Sequence, residues 1–180
     1  MEDLSLHILD IAENSIAAGA RTVSIAVLED GSADLLSLEI ADDGKGMSPG
    51  DLEKAADPFF TTRTTRRIGL GLALLREAAV AANGTTHISS APGAGTTVRA
   101  TFQMSHIDRK PLGQMADTIL ALIATPGEFD ILYTHTRDGK TVTFDTREIR
   151  AELQGIALNS AGALSAIREH LNQEEDSLAQ

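Results

Sequence analysis

Four short groups of residues within the first hundred positions have the chemistry of a nucleotide site. Asn14 lies in an early helical pattern, and Asp-Asp-Gly-Lys-Gly at 42–46 follows an apolar strand pattern. Gly-Leu-Gly-Leu at 69–72 opens a second helical pattern, and Gly-Thr-Thr at 95–97 opens another strand. Together they supply a carboxylate for the edge of a base, an amide for a metal ion and bare backbone for phosphates. The combination predicts a pocket for ATP.

The early helix carries three polar residues on one face. His7, Asp10 and Asn14 are separated by three and four positions, which places them on one side of a helix. The Asn14 carbonyl together with phosphate oxygens would be enough to hold Mg²⁺, which keeps most of its waters. Asp10 could then orient or deprotonate a water or a substrate hydroxyl. The alternative is a solvated helix face, and His7 is interpreted as a surface residue or one that supports its neighbours.

The glycine-rich groups suit the base and the phosphates. Asp42, at a strand end, can accept a hydrogen bond from an exocyclic amine, and Gly44 and Gly46 allow the backbone to approach a flat ring. Gly69 and Gly71, at a helix start, leave N–H groups available to an anion. Taken singly, an ordinary Asp-Gly turn and an ordinary glycine-rich helix start remain the alternatives.

A stretch between the second and third groups carries three arginines. Residues 57–67 show no hydrophobic period and are interpreted as a loop that contains Arg63, Arg66 and Arg67. In a chain of net charge -11, arginines beside a phosphate site predict contact with the terminal phosphate or closure of the loop over it. A solvated loop is the alternative for each of them.

Hydrophobic periodicity predicts the elements that position these groups. It places helices near 4–17, 49–56 and 71–82, and strands near 23–27, 36–40, 86–88 and 98–102. Antiparallel strands with the helices collected on one face would form a two-layer α/β sandwich, an α+β fold. We expect a mixed, mainly antiparallel sheet.

The last third of the chain has no recognisable motif. The pattern predicts a connector at 105–113, a helix at 114–124, a hairpin at 129–146 around Asp138-Gly139, and helices at 147–153 and 160–171. The polar residues 172–180 are expected to fray. We predict an ATP-binding domain at 1–104 and a small α/β region at 105–180, and we expect the latter to contact a protein partner or a second copy of the chain. The residues that could line such a contact surface are His106, Asp108, Arg109, His135 and Arg137. An ordinary protein surface without a binding role is the preferred interpretation of them.

Composition excludes several classes of protein. The 180 residues contain no cysteine, which excludes disulfides and cysteine-ligated metal centres. The net charge of -11 argues against binding to nucleic acid or an anionic membrane. The N-terminus is acidic, and no apolar run approaches the ~20 residues of a membrane span. These features predict a cytoplasmic protein.

These motifs, in this order, resemble the GHKL or Bergerat-fold ATP-binding domain of histidine kinases, type II topoisomerases, heat-shock chaperones and mismatch-repair ATPases. Asn14 matches its Mg²⁺-binding N-box, and residues 42–46 match its adenine-binding G1 box. Residues 59–60, 69–71 and 95–97 match the F-box, G2 box and G3 box, and the stretch at 57–62 is similar to histidine kinases in particular. The resemblance implies ATP and Mg²⁺ as cofactors, Asp10 as the catalytic residue and Asn14 as the metal ligand. It implies a nucleotide site formed by Asn14, Asp42, Gly44, Gly46, Met47, Phe59, Thr61, Thr62, Arg63, Arg66, Gly69, Leu70, Gly71, Leu72 and Thr97.

Two departures from the family pattern affect the predicted function. The N-box helix begins near residue 4, so we expect no phosphoacceptor-histidine hairpin before it. The acceptor would then lie on another chain, unless a residue of the C-terminal third serves. Asp10 stands where ATP-hydrolysing members often have Glu, which is one methylene longer. The leading hypothesis is a stand-alone histidine-kinase-like kinase that acts on a partner. The alternatives are a slow ATPase or nucleotide-dependent switch, and a non-catalytic scaffold with a degenerate pocket.

Overall fold

A single six-stranded sheet organises the chain in a computed structural model that describes residues 2–56 and 70–178. Its strand order is β3-β4-β2-β1-β5-β6. All neighbouring strands run antiparallel except β1 and β5, which are parallel. This sheet confirms the predicted mixed, mainly antiparallel architecture. The strands are β1 (Thr22–Asp30), β2 (Leu35–Asp42), β3 (Thr86–Ser90), β4 (Thr96–Gln103), β5 (Asp130–Arg137) and β6 (Lys140–Asp145).

The helices form the second layer on one face of the sheet. α1 packs between α3 and α4, and α4 in turn packs against α6. Alternate strand residues such as Val23, Ile25 and Val27 are buried, as expected for a sheet covered on one side. The helices are α1 (Leu4–Ala17), α2 (Pro49–Ala56), α3 (Leu70–Ala81), α4 (Met115–Ala124), α5 (Thr146–Glu152) and α6 (Ala161–Leu178).

Local sequence signals explain where α1 begins and ends and where the C-terminal hairpin turns. The Asp3 carboxylate accepts a hydrogen bond from the Leu6 N–H and so caps the start of α1. Gly19, with φ +82°, follows its last turn. Asp138 and Gly139 both have positive φ in the two-residue turn between β5 and β6, as a type I′ hairpin requires.

The C-terminal end of the chain corrects one expectation. Residues 172–178 do not fray; they continue α6, whose last residue, Leu178, is buried. The pattern is polar there because α6 presents only a narrow stripe to the core, formed by Ala163, Ile167, Leu171 and Leu178. No helix in the described part of the chain is long and apolar enough to cross a bilayer.

Candidate nucleotide site

Asp42 ends β2 with its carboxylate turned toward the end of α1. Its Oδ2 accepts a hydrogen bond of 2.7 Å from the buried Ser15 hydroxyl, and its Oδ1 accepts one of 2.9 Å from the Gly44 N–H. A carboxylate offers about four lone-pair positions, so acceptor capacity remains beside these two bonds. A base amine could use that capacity at this position.

The neighbouring Asp43 has a structural role. Its Oδ1 accepts hydrogen bonds from the backbone N–H groups of Arg21 and Thr22, at 2.7 and 2.8 Å. The bond from Thr22 is the main reason that the pKa of Asp43 is lowered, and the bond from Arg21 adds to it. Asp43 therefore ties the loop to the start of β1 and leaves Asp42 as the functional candidate of the pair.

Two glycines bring the loop after Asp42 against the turn between β3 and β4. A Cβ on Gly46, which has φ +64°, would lie 1.9 Å from the Ala91 carbonyl oxygen. A Cβ on Gly95 would lie 1.8 Å from the Asp42 carbonyl oxygen. Neither contact admits a side chain, so these glycines are required by close backbone approach. Gly44 is less constrained, because a Cβ there would lie 3.0 Å from its nearest neighbour, Asp42 Oδ1.

The start of α3 packs directly on Asp10. A Cβ on Gly71 would lie 1.8 Å from Asp10 Oδ2, so the carboxylate rests against the glycine backbone. α3 begins at Leu70, and the first N–H groups of a helix have no partner within the helix. Asp10 thus lies where the positive end of the α3 dipole would meet phosphates.

Asn14 lies on α1 between Asp10, which packs against Gly71, and Ser15, which bonds to Asp42. It precedes Ser15, the partner of Asp42, and follows Asp10 by one helical turn. Asn14 is half-buried at this position. An amide oxygen beside bound phosphates fits the oxygen-rich coordination that Mg²⁺ prefers.

His7 is not the surface residue that its polarity suggested. It is fully buried, and neither ring nitrogen has a hydrogen-bond partner in the described part of the structure. Burial, followed by the positive charge of Lys110, lowers the pKa of His7 to about 4, while the backbone of Gly71 acts in the opposite direction. The imidazole is therefore neutral at pH 7.

The remaining predicted residues divide into three groups. Met47 donates its N–H to Ser90 Oγ at 2.8 Å, which holds the loop, and Leu72 packs against the core. Thr97 pairs with Ala41 and lies on the opposite sheet face from Asp42, whereas Thr96 pairs with Asp42 itself and shares its face. Six predicted residues lie outside the described residues: Phe59, Thr61, Thr62, Arg63, Arg66 and Gly69.

The predicted site residues did not include Ser15, Ser90 or Thr96, although Thr96 belongs to the Gly-Thr-Thr motif at 95–97. The Ser90 hydroxyl donates to the Gly95 carbonyl at 2.9 Å and lies 2.9 Å from Thr96 Oγ1. Only Thr96 carried a usable signal, since strand alternation could have placed it on the face of Val98. The contacts of Ser15 and Ser90 join residues that lie far apart in the chain or across a turn.

The larger of two cavities in the described part of the structure does not coincide with the motif residues. A cavity of about 890 Å³ opens beside the first residues of β1 and β5, and its lining includes Arg21, Asp130 and Arg150 but no motif residue. A smaller one of about 200 Å³ lies between α2, α3 and β3 and includes Leu72. We assign the site by the motif residues, none of which lines the larger cavity.

Comparison with known proteins identifies the family of the N-terminal part of the chain. A family model described as "Histidine kinase-, DNA gyrase B-, and HSP90-like ATPase" matches residues 2–106. The non-motile and phage-resistance protein of Caulobacter vibrioides is 35% identical over 112 residues, which are 57% of this chain and 13% of that protein. Sensor protein kinase FleS of Pseudomonas aeruginosa is 37% identical over 110 residues, 61% of this chain and 27% of that protein.

Further matches show the same partial coverage. Sensor histidine kinase YxdK of Bacillus subtilis is 41% identical over 69 residues, 36% of this chain and 21% of that protein. The chain therefore spans less than a third of the length of these relatives. A crystal structure of the N terminal domain of a DNA repair protein matches with a TM-score of 0.57 over 79% of this chain and 52% of that one. Its identity is 18%, so this likeness concerns the fold alone.

Proposed function

The chain belongs to the family of histidine kinase-, DNA gyrase B- and HSP90-like ATPases, and we propose that it binds ATP with Mg²⁺ and phosphorylates a protein partner. The observation that carries the proposal is the order of polar groups along α1. The base-reading carboxylate of Asp42 touches Ser15, Asn14 follows, and Asp10 lies against the start of α3. This order matches the base, metal-binding and phosphate parts of one ATP molecule.

Each side chain has a defined role in this proposal. Asp42 accepts a hydrogen bond from the base amine, and the glycine backbone around residues 44–46 contacts the ring. Asn14 would hold Mg²⁺, which neutralises phosphate charge when bound. Asp10, whose carboxylate lies against Gly71 at the start of α3, orients the attacking hydroxyl or imidazole of the partner and accepts the proton that it loses. The attacking atom forms a bond to the γ-phosphorus, the bond from that phosphorus to the β–γ bridging oxygen breaks, and ADP leaves.

The position of Asp10 also supports a second candidate function. A carboxylate against the start of α3 could orient a water molecule as readily as a partner's hydroxyl or imidazole. In that case the protein is a slow ATPase or a nucleotide-dependent switch. The partner would then sense whether ATP is bound and would not be modified.

One labelling experiment separates the candidates. The purified protein is incubated with γ-labelled ATP and Mg²⁺, with and without a lysate of its source cells. Label on a second protein supports the kinase, and free phosphate without labelled protein supports the ATPase or switch. If calorimetry detects no binding of ATP with Mg²⁺, both proposals fail.

The metal-ligand assignment needs its own variant. Asn14→Ala should weaken binding of ATP with Mg²⁺ at least about tenfold, the loss expected for one charge-assisted contact. The matched control is Asn172→Ala on the exposed side of α6, which should bind as the parent does. Equal affinity of Asn14→Ala and the parent would refute the assignment.

A further inference from the structure

The larger cavity lies between the first residues of β1 and β5 and two loops of the C-terminal region. Its volume is about 890 Å³, within the range of about 300–1,000 Å³ that is typical of sites for small molecules. One wall comes from the segment 125–129 between α4 and β5, and another from the segment 155–159 between α5 and α6. The motif residues that the structure describes do not line it, so a ligand here would be separate from the nucleotide.

Hydrogen bonds at the strand starts fix the floor of the cavity. The Arg21 N–H donates to Asp43 Oδ1 at 2.7 Å, and the Arg21 carbonyl accepts from the Asp130 N–H at 2.8 Å. The Thr146 hydroxyl donates to Asp130 Oδ1 at 3.0 Å and accepts from the Ile131 N–H at 2.9 Å. The floor is therefore formed before any ligand arrives, as is usual for small-molecule sites.

Apolar side chains supply much of the lining. Ile123 and Ile131 belong to the buried core, and Phe129 and Leu158 pack against that core from the two loops. Ile156 also lines the cavity, although its side chain is 58% exposed. An apolar group that entered the cavity would remove these surfaces from water, which favours binding.

Four charged residues line the cavity, and two of them are paired with each other. Arg150 Nη1 lies 2.6 Å from Asp130 Oδ1. The Arg21 guanidinium and the Glu128 carboxylate have no hydrogen bond or ion pair with any residue that the structure describes. Arg21 therefore presents a complete planar fork of donors to the cavity.

These charges select the class of ligand. A carboxylate is planar and can accept two parallel N–H bonds from one guanidinium. The lining carries two arginines and two carboxylates, so its formal charges cancel. A ligand with one negative charge can pair with the unpaired Arg21, whereas a phosphate group of charge about -2 would find no second unpaired cation in the lining.

We propose that this cavity binds a small organic carboxylate with an apolar or aromatic body, which places its carboxylate on the Arg21 guanidinium and its body against Phe129 and Leu158. The inference does not depend on the proposed ATP site. Because Asp43 bonds to the Arg21 backbone, the ligand would lie beside the loop that carries Asp42.

The test is a titration of the isotopically labelled chain with three probes, followed by amide chemical shifts. The probes are cinnamate, its neutral isostere cinnamamide, and acetate. Cinnamate should bind with a dissociation constant on the order of 1 mM, as expected for a ligand of its size, and should shift the amides of Gly127 and Gly155. Cinnamamide lacks the charge and acetate lacks the ring, so each should bind at least about tenfold more weakly. Absence of cinnamate binding, or shifts confined to the loop at 44–46, overturns the inference.

Three variants assign the roles within the cavity. Arg21→Met should weaken cinnamate about tenfold and change cinnamamide less than about twofold. Arg76→Met, at an exposed position on α3, is the matched control and should change neither probe. Ile156→Ser removes apolar surface and should weaken both aromatic probes alike, by about threefold.

The positions of Arg21 and Ile156 separate a lost contact from a folding defect. Both residues are exposed, so the variants should unfold in urea at the same midpoint as the parent. The comparison of cinnamate with cinnamamide in the parent needs no variant at all. Equal affinity of the parent for these two probes, or an unchanged preference for cinnamate in Arg21→Met, would refute the proposed carboxylate site.

Discussion

Two buried histidines, one in each part of the molecule, have opposite environments. His7 in α1 has no hydrogen-bond partner in the described part of the structure, and its pKa is lowered to about 4, mainly by burial. His135 in β5 lies 2.7 Å from Glu175 and 2.8 Å from Glu29. Burial alone would lower the pKa of His135, but the two carboxylates raise it to about 8. One histidine is therefore neutral at pH 7 and the other is charged.

The surroundings of His135 form a closed polar cluster. Glu29 also pairs with Arg137 at 2.6 Å, and Glu175 accepts a hydrogen bond of 2.5 Å from the Tyr133 hydroxyl. The bond with His135 is the main cause of the lowered pKa of Glu29. This cluster joins β1 and β5 to α6, and every charge in it has a partner. The difference teaches that burial alone does not set the charge of a histidine: His7, which has no described partner, is neutral, whereas His135 is charged within a hydrogen-bonded network that joins three elements.

Replacing each histidine by leucine should give the largest contrast. His135→Leu leaves two carboxylates without their shared cation, and we expect a loss of about 4 kcal/mol in the free energy of unfolding. His7→Leu removes a polar group that has no described partner, so its change should stay within about 1 kcal/mol. Urea unfolding at pH 7 measures both. Similar losses would show that the two sites do not differ as their geometry indicates.

Glycine replacements should show the next largest contrast. Gly46→Ala combines φ +64° with a Cβ placed 1.9 Å from a backbone oxygen, and we expect a loss of about 3 kcal/mol. Gly139→Ala in the C-terminal hairpin has φ +86° but open space around the new methyl, so about 1 kcal/mol is expected. Thermal unfolding of the two variants tests whether close approach or φ alone dominates.

The pH dependence of stability should have opposite signs at the two histidines. The folded pKa of His135 is raised from 6.5 to about 8, so its stabilisation is complete below pH 6.5 and is lost as pH rises through 8, a change of about 2 kcal/mol. The folded pKa of His7 is lowered to about 4, so the parent loses stability as pH falls from 6.5 to 4.

The two leucine variants isolate these contributions. The stability advantage of the parent over His135→Leu should shrink at alkaline pH, and the parent should become less stable relative to His7→Leu at acid pH. Unfolding measured from pH 4 to 9 provides both differences. A difference that does not change with pH in either pair would contradict the assigned charge state.

The smallest effect should come from a surface pair in the C-terminal region. Arg168 on α6 pairs with Asp117 on α4, and both side chains are more than half exposed. Arg168→Ala should change the free energy of unfolding by less than about 0.5 kcal/mol, because exposed ion pairs contribute little. A loss near that of His135→Leu would mean that α6 is held mainly by its surface charges and not by the buried cluster.

The sequence was sufficient for the elements and the motifs but not for the contacts between distant segments. Periodicity predicted every strand in the described part of the chain, and the Asp138-Gly139 pair predicted the C-terminal hairpin, since those patterns are local. It misjudged residues 172–178, because a helix with a narrow apolar stripe looks polar throughout. Thr97 stays a prediction as a site residue, and alternation within β4 puts Thr96 on the same sheet face as Asp42 and Thr97 on the other. The burial of His7 and the clustering around His135 depend on segments a hundred residues apart, so no local pattern reveals them.

The parallel pairing of β1 with β5 has a consequence for the way the chain folds. Thr22 pairs with Asp130 and Glu29 with Arg137, so the partner of β1 is synthesised more than a hundred residues after β1 itself. Until β5 arrives, one edge of β1 has unpaired N–H and C=O groups, which is the kind of edge that recruits other chains. Closing so long a loop is slow compared with forming the β1–β2 hairpin. The C-terminal hairpin is therefore the last strand pair to join the sheet, and its pairing with β1 covers an edge that would otherwise favour aggregation.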